Sequence, residues 1–166
     1  MVIDVRIFDA TRIAEYLDAK GVHYTRSDCG FVADYAPAEP YGPAIKLRLA
    51  SQGHNGAVLV VQASSVDYFS MDDVPRLLGL INEWTLQHRW PRLAVSIGGP
   101  DGPSLATVVA DNHFDLESGV HEDLLDDLIG SHLSASFSFF RFLHSAITTP
   151  AGTVPSAAEL DAWLSD

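Results

Sequence analysis

The densest run of acid–base and metal-ligating side chains is the stretch 111–122, Asp-Asn-His-Phe-Asp-Leu-Glu-Ser-Gly-Val-His-Glu. Laid on a calcium-binding loop, Asp111, His113, Asp115, Glu117 and Glu122 fall at the first, third, fifth, seventh and twelfth positions. The sixth position needs glycine for its sharp turn and here holds Leu116. The preceding residues also read as a strand, where that loop follows a helix. A transition metal is the other option. Residues two apart on a strand share a face, so Asp111, His113 and Asp115 could offer ligands together. The competing reading is a strand end running into the acidic start of a helix.

Other chemistry finds less support. Nucleophilic catalysis needs a nucleophile, a base and an orienting group within reach. Seven histidines occur, but His23, His54, His88, His121, His132 and His144 are scattered. Ser131, Ser134, Ser136 and Ser138 crowd one helix without a nucleophile elbow, and read as packing or solvated residues. The stretch 98–102, Gly-Gly-Pro-Asp-Gly, lacks both the GxGxxG spacing and a following helix, so it reads as a hairpin turn instead of a phosphate cradle. No catalytic residue, cofactor or resident metal is expected.

Composition narrows the partners. The chain has 166 residues, 47% of them hydrophobic, and a formal net charge of −12. That is one domain's length with ample apolar material for a core. Nucleic acid is a poor partner for so acidic a chain without a basic run. The most apolar run, 57–61, is far shorter than the roughly 20 residues that cross a bilayer. The lone Cys29 allows no internal disulfide and suits a reducing cytoplasm, and the first residues lack the apolar core of a signal peptide.

The elements that would position these residues follow from periodicity. Residues 9–20 read as a helix with Ile13, Tyr16 and Leu17 on one face, capped by Asp9 or Thr11 and ended by Gly21. Residues 22–36 read as a hairpin around 27–30, and the Pro-rich 37–43 as a loop. Ile45, Leu47 and Leu49 alternate with Lys46 and Arg48, which is the pattern of a half-exposed strand, and 57–63 suits an inner strand. Residues 72–88 read as a helix with Ser70 as N-cap and a buried stripe of Val74, Leu77, Leu78, Ile81 and Trp84. Gly79 within it implies close packing against a neighbour. Trp90-Pro91 then turns the chain into a strand pair, 93–97 and 105–113. A long helix over 120–147 follows, with a bend or break expected at Gly130-Ser131. The order α-β-β-β-β-α-β-β-α indicates an α+β fold on a largely antiparallel sheet. The domain spans 1–147, followed by a Pro/Gly/Thr linker over 148–156 and a short amphipathic helix over 157–166.

Phe137, Phe139, Phe140 and Phe142 cannot share one narrow helical face at 100° per residue. Two readings stay open: the helix is buried nearly all round, or one side of it meets a partner. Leu160, Trp163 and Leu164 add an apolar face on a segment too short to be a stable helix alone, so it needs a surface to dock on.

Several motifs together resemble the YbjN-like family, the bacterial sensory transduction regulators. They are Leu80-Ile-Asn-Glu-Trp84, then Arg89-Trp-Pro-Arg92, then Asp115-Leu-Glu-Ser-Gly-Val120, and the aromatic helix 137–143. Thr85 stands where the family carries Asn. The resemblance covers about residues 11–147. It implies a fold similar to type III secretion chaperones, a curved antiparallel sheet flanked by helices, in proteins that commonly dimerise and hold an extended partner segment. The expectation is therefore a non-enzymatic regulator or chaperone-like adaptor and homodimer. It would bind a polypeptide through an apolar sheet and helix surface that includes Phe137, Phe139, Phe140, Phe142, Leu160, Trp163 and Leu164. The alternative is a small-molecule or metal-dependent enzyme built on Asp111, His113 and Asp115.

Overall fold

The computed structural model describes residues 4–37, 42–99 and 102–148. The expected linker and C-terminal helix, and most of the Pro-rich loop, lie outside them. Helix α1 (Ala10–Ala19) starts at Asp9, whose carboxylate accepts from the backbone N–H groups of Thr11 and Arg12, so Asp9 is the cap and not Thr11. Strands β1 (Thr25–Ser27), β2 (Gly30–Tyr35), β3 (Ile45–Gln52) and β4 (Val58–Ser65) form an antiparallel meander. A two-residue strand, β5 (Phe69–Ser70), leads through a single 3-10 turn capped by Ser70 into α2 (Val74–Gln87). Strands β6 (Arg92–Gly99) and β7 (Gly102–Asp115) pair antiparallel, and α3 (Glu122–Thr148) closes the described chain.

All described pairings are antiparallel. They give one seven-stranded sheet in the order β1-β2-β3-β4-β7, with β6 on the far side of β7. The short β5 continues the β4 side, pairing Phe69 with Ala106 where β4 has run out. One face carries Ile45, Leu47 and Leu49, then Leu59, Val61 and Ala63, then Ala106, Val108 and Ala110, all buried under the helices. The opposite face carries Lys46, Arg48, Gln62 and Arg92, as an antiparallel sheet with one solvated side should.

Helix α3 lies across both halves of the covered face. Its N-terminal half packs with α1, β2 and β3 around Ile13, Phe31, Leu125 and Ile129. Its C-terminal half packs with α2 and β7 around Trp84, Phe139, Phe142 and Leu143. It is continuous through Gly130 and Ser131, so the expected break is absent.

Two details of α2 differ from the sequence expectation. Its buried stripe is Leu77, Leu80 and Trp84, whereas Leu78 is 51% exposed. Leu78 lies four residues after Val74 and Leu80 three after Leu77, so helical spacing admits either, and packing in the core selects Leu80. Gly79 faces open space, with no atom within 4 Å of where a Cβ would stand, so close packing does not explain it. Gly30 is the opposite case. Its φ is +118°, and a Cβ there would stand 2.3 Å from the Leu49 carbonyl oxygen.

These two glycines should respond in opposite senses to the same substitution. Gly79→Ala is expected to raise stability by about 0.5–1 kcal/mol, through helix propensity and backbone entropy. Gly30→Ala is expected to lower it by about 1–3 kcal/mol, the usual cost of a strained backbone position. Urea unfolding midpoints measure both, and a destabilised Gly79→Ala would contradict the open surroundings of that residue.

Candidate functional site

Strand β7 does bring Asp111 and His113 to one face, the open one, but there Asp111 is the partner of an arginine. Asp111 is buried, and the Arg92 guanidinium on β6 donates to both its oxygens, Nε to Oδ1 at 3.0 Å and Nη2 to Oδ2 at 2.6 Å. Such a fork is the strong form of a charged hydrogen bond. His113 Nε2 stands 3.2 Å from the same Oδ2. Asp115 is turned away, its Oδ1 accepting from the Glu117 backbone N–H at 3.0 Å. The expected trio of ligands is not assembled, and among the described residues no group of three His, Cys, Asp or Glu side chains could hold a metal ion. Instead Asp111 belongs to a row in strand register, Val32, Arg48, Gln62, Asp111 and Arg92, across five strands. Arg48 donates to Gln62 Oε1 at 3.4 Å within it.

A cleft of about 470 Å³ lies between α1, the segment before it and the start of α3. Its cations are held by local acids: Arg6 by Asp4 and Arg12 by Glu15. Behind it, Tyr16 donates to Asp126 Oδ1 at 3.2 Å, and Lys20 Nζ is 2.8 Å from the same oxygen. Burial, with Asp126 adding to it, pushes the Tyr16 phenol up to about 12, so it stays a proton donor. The Lys20 ammonium holds Asp126 below the usual carboxylate range. These contacts staple α1 to α3 and leave no nucleophile paired with a base.

The aromatic cluster resolves toward the core. Phe139, Phe140 and Phe142 are fully buried, and Phe137 is half-buried, edge-on to Tyr35 at 5.8 Å between centroids. Trp84 meets Phe139 and Phe142, each at 5.5 Å. A partner surface made of Phe139, Phe140 and Phe142 is therefore corrected: sheet and α2 cover those rings in this chain. Leu160, Trp163 and Leu164 lie outside the described residues.

Sequence reasoning missed a buried polar group and an exposed apolar edge. His132 and Ser136 sit on the buried stripe of α3, in the 4-3-4-3 spacing that runs Leu125, Ile129, His132, Ser136, Phe139. That spacing was the available signal. Asn112 Nδ2 donates to His132 Nδ1 at 3.0 Å, which places the neutral ring's proton on Nε2. Burial lowers the His132 pKa to about 4, against a smaller opposing pull from the Ala110 backbone and the Asp111 charge.

The edge is β6. Leu93, Val95 and Ile97 lie on the helix side, opposite Ala110, Val108 and Ala106, and Ile97 is 55% exposed. Beside this edge runs α2. Arg76 and Leu78 project about 200° apart on that helix. Since Arg76 Nη2 donates to the Ala146 carbonyl of α3 at 2.5 Å, Leu78 points away from α3, and it is 51% exposed. Ile97 on the strand and Leu78 on the helix are the exposed large apolar side chains of these two elements, with Leu86 beyond them. None of the described helices is long and apolar enough to cross a membrane.

No family model and no curated protein matches the chain. Among solved structures it is similar to the crystal structure of YbjN from E. coli, a candidate transcription regulator. The TM-score is 0.68 at 7% identity, over 86% of this chain and 96% of that one. The fold is YbjN-like, as the motifs around Trp84 and Trp90-Pro91 suggested.

The buried histidine makes stability depend on pH in a defined direction. Its pKa is lower in the fold than in the unfolded chain, so its contribution is complete above pH 6.5. That contribution falls as pH drops from about 6.5 toward 4, by about 3 kcal/mol in all. Urea midpoints across that window should fall more steeply for the natural chain than for His132→Gln. Parallel slopes would show that His132 does not carry the loss.

Proposed function

We propose that this chain is a non-enzymatic regulatory adaptor that takes an extended polypeptide as an added strand along β6. The observation that carries the reading is the contrast between the two sheet edges. Strand β1 is three residues long, fully exposed and polar, Thr-Arg-Ser. Short, charged edges are the usual guard against unwanted pairing. Strand β6 runs for eight residues, and from Leu93 to Gly99 it has no charge and no proline. An added strand would gain main-chain hydrogen bonds from that edge and set alternate apolar side chains against Leu93, Val95 and Ile97.

The solved neighbour's description as a candidate transcription regulator agrees with a regulatory role. With a net charge of −12, this chain suits regulation through protein contact better than through DNA phosphate contact. The exposed Cys29 thiol suits the cytoplasm. A second copy could use the same edge. Two chains about a two-fold axis would pair β6 with β6 and cover Ile97 on both sides, which favours a homodimer as the second reading.

A library of random displayed peptides, selected on the purified chain, tests this. Selected peptides should alternate apolar residues, and anisotropy should show at least tenfold weaker binding to Ile97→Lys and to Leu78→Glu, with Thr25→Lys on the other edge unchanged. Peptides whose binding ignores Ile97→Lys would refute the β6 site. Light scattering completes the test: a dimer that Ile97→Lys dissociates would assign the edge to a second copy instead.

A further inference from the structure

A second apolar recess lies inward of the β6 edge, at the same end of the sheet as Ile97: Phe69 on its wall pairs with Ala106, which pairs in turn with Ile97, and no β6 residue lines it. It is a cavity of about 220 Å³ between the start of β3, the end of β4 and the last turns of α3. Pro43 and Ala44 line one side, Phe69 another, and Phe140, Leu143 and Ile147 the floor. Ligand pockets for cofactors and comparable molecules run from about 300 to 1,000 Å³. This recess is smaller, and suits one or two large side chains.

We propose that the chain's own C-terminal segment fills it, with the apolar face of residues 157–164 over the opening and Trp163 seated inside. Ile147 is part of the floor and Thr148 is the last described residue of α3, so residues 149–166 are tethered next to the recess. Residues 148–156 contain Pro150, Gly152 and Pro155, residue types that disfavour helix and favour turns. Extended, those residues reach about 30 Å, ample for a return to the cavity. Beyond them, Leu160, Trp163 and Leu164 are spaced to form one apolar stripe. A helix that short is marginal in water unless it docks. A short flexible tether supplies it to the recess at about millimolar effective concentration. At micromolar protein this favours docking within the chain over docking on a second copy. The reading concerns a surface separate from β6 and does not depend on what β6 binds.

Methyl-labelled full-length protein tests the proposal by NMR. Cross-relaxation peaks are expected between the Trp163 ring and the methyl groups of Leu143 and Ile147, unchanged on tenfold dilution. Trp163→Ser should abolish those peaks and shift the same methyls, while the methyls of Leu49, in the other core cluster, stay in place. Absence of the peaks in the natural chain overturns the proposal. So does their appearance only between differently labelled chains in a mixed sample, which would place the segment on a second copy.

Discussion

The contact on which the rest depends is the seating of α3 along one face of the antiparallel sheet. Its buried stripe, Leu125, Ile129, His132, Ser136, Phe139, Leu143 and Ala146, touches both core clusters, so the two halves of the sheet share one helix. Helices α1 and α2 occupy the space left on either side. Tyr16 and Lys20 tie α1 to Asp126, and Arg76 ties α2 to the Ala146 carbonyl. Because three helices all cover the same face, the opposite face stays solvated. It is there that Arg48, Gln62, Asp111 and Arg92 align in register.

A histidine and a serine in the centre of that stripe look like defects in an apolar seam. Burying such groups is unfavourable unless they are hydrogen-bonded, and the side chain that answers His132 is Asn112. The pair Asn112–His132 does fix one thing that apolar packing leaves loose: the register of α3 against β7. A slip of one residue along the helix would remove the imidazole from Asn112 and leave the buried ring without that partner. Leucines at the same positions would tolerate such a slip far better, since apolar contacts are non-directional.

Much of this fold is legible in the residues. Alternation in 45–49 locates β3 and its buried face, Asp9 marks the start of α1, and Trp90-Pro91 marks the passage from α2 to β6. The failures have physical reasons. Helical spacing admits either Leu78 or Leu80, and only packing in the core separates them. Gly79 invites a packing explanation from sequence, yet its surroundings are empty. The four phenylalanines over 137–142 were ambiguous between core and interface because a helix wedged between a sheet and a second helix is apolar over most of its circumference. Asp111 and His113 have the right spacing for one strand face. That an arginine on the neighbouring strand would claim the carboxylate is a fact of register, which local sequence does not carry. The exposed β6 edge escaped for the same reason: a strand's sequence does not say whether it lies at the centre or the rim.

Shared fold at 7% identity sets a limit on what can be carried from one protein to another. Cores accept extensive hydrophobic substitution while volume and pattern are kept, so two chains can agree in their buried pattern and in little else. What survives is the scaffold: a sheet with helices on one face and one long helix spanning it. Function resides in surfaces grafted onto such scaffolds, and on this chain the departures from a self-contained scaffold are few among the described residues. One is the uncharged edge of β6, and another is the recess that α3 leaves at its own end. The edge is built from backbone and aliphatic side chains, and the recess from aliphatic and aromatic ones with Ser65, Asp67 and His144 also in its lining. Surfaces of that kind recognise polypeptide by shape and main-chain hydrogen bonding.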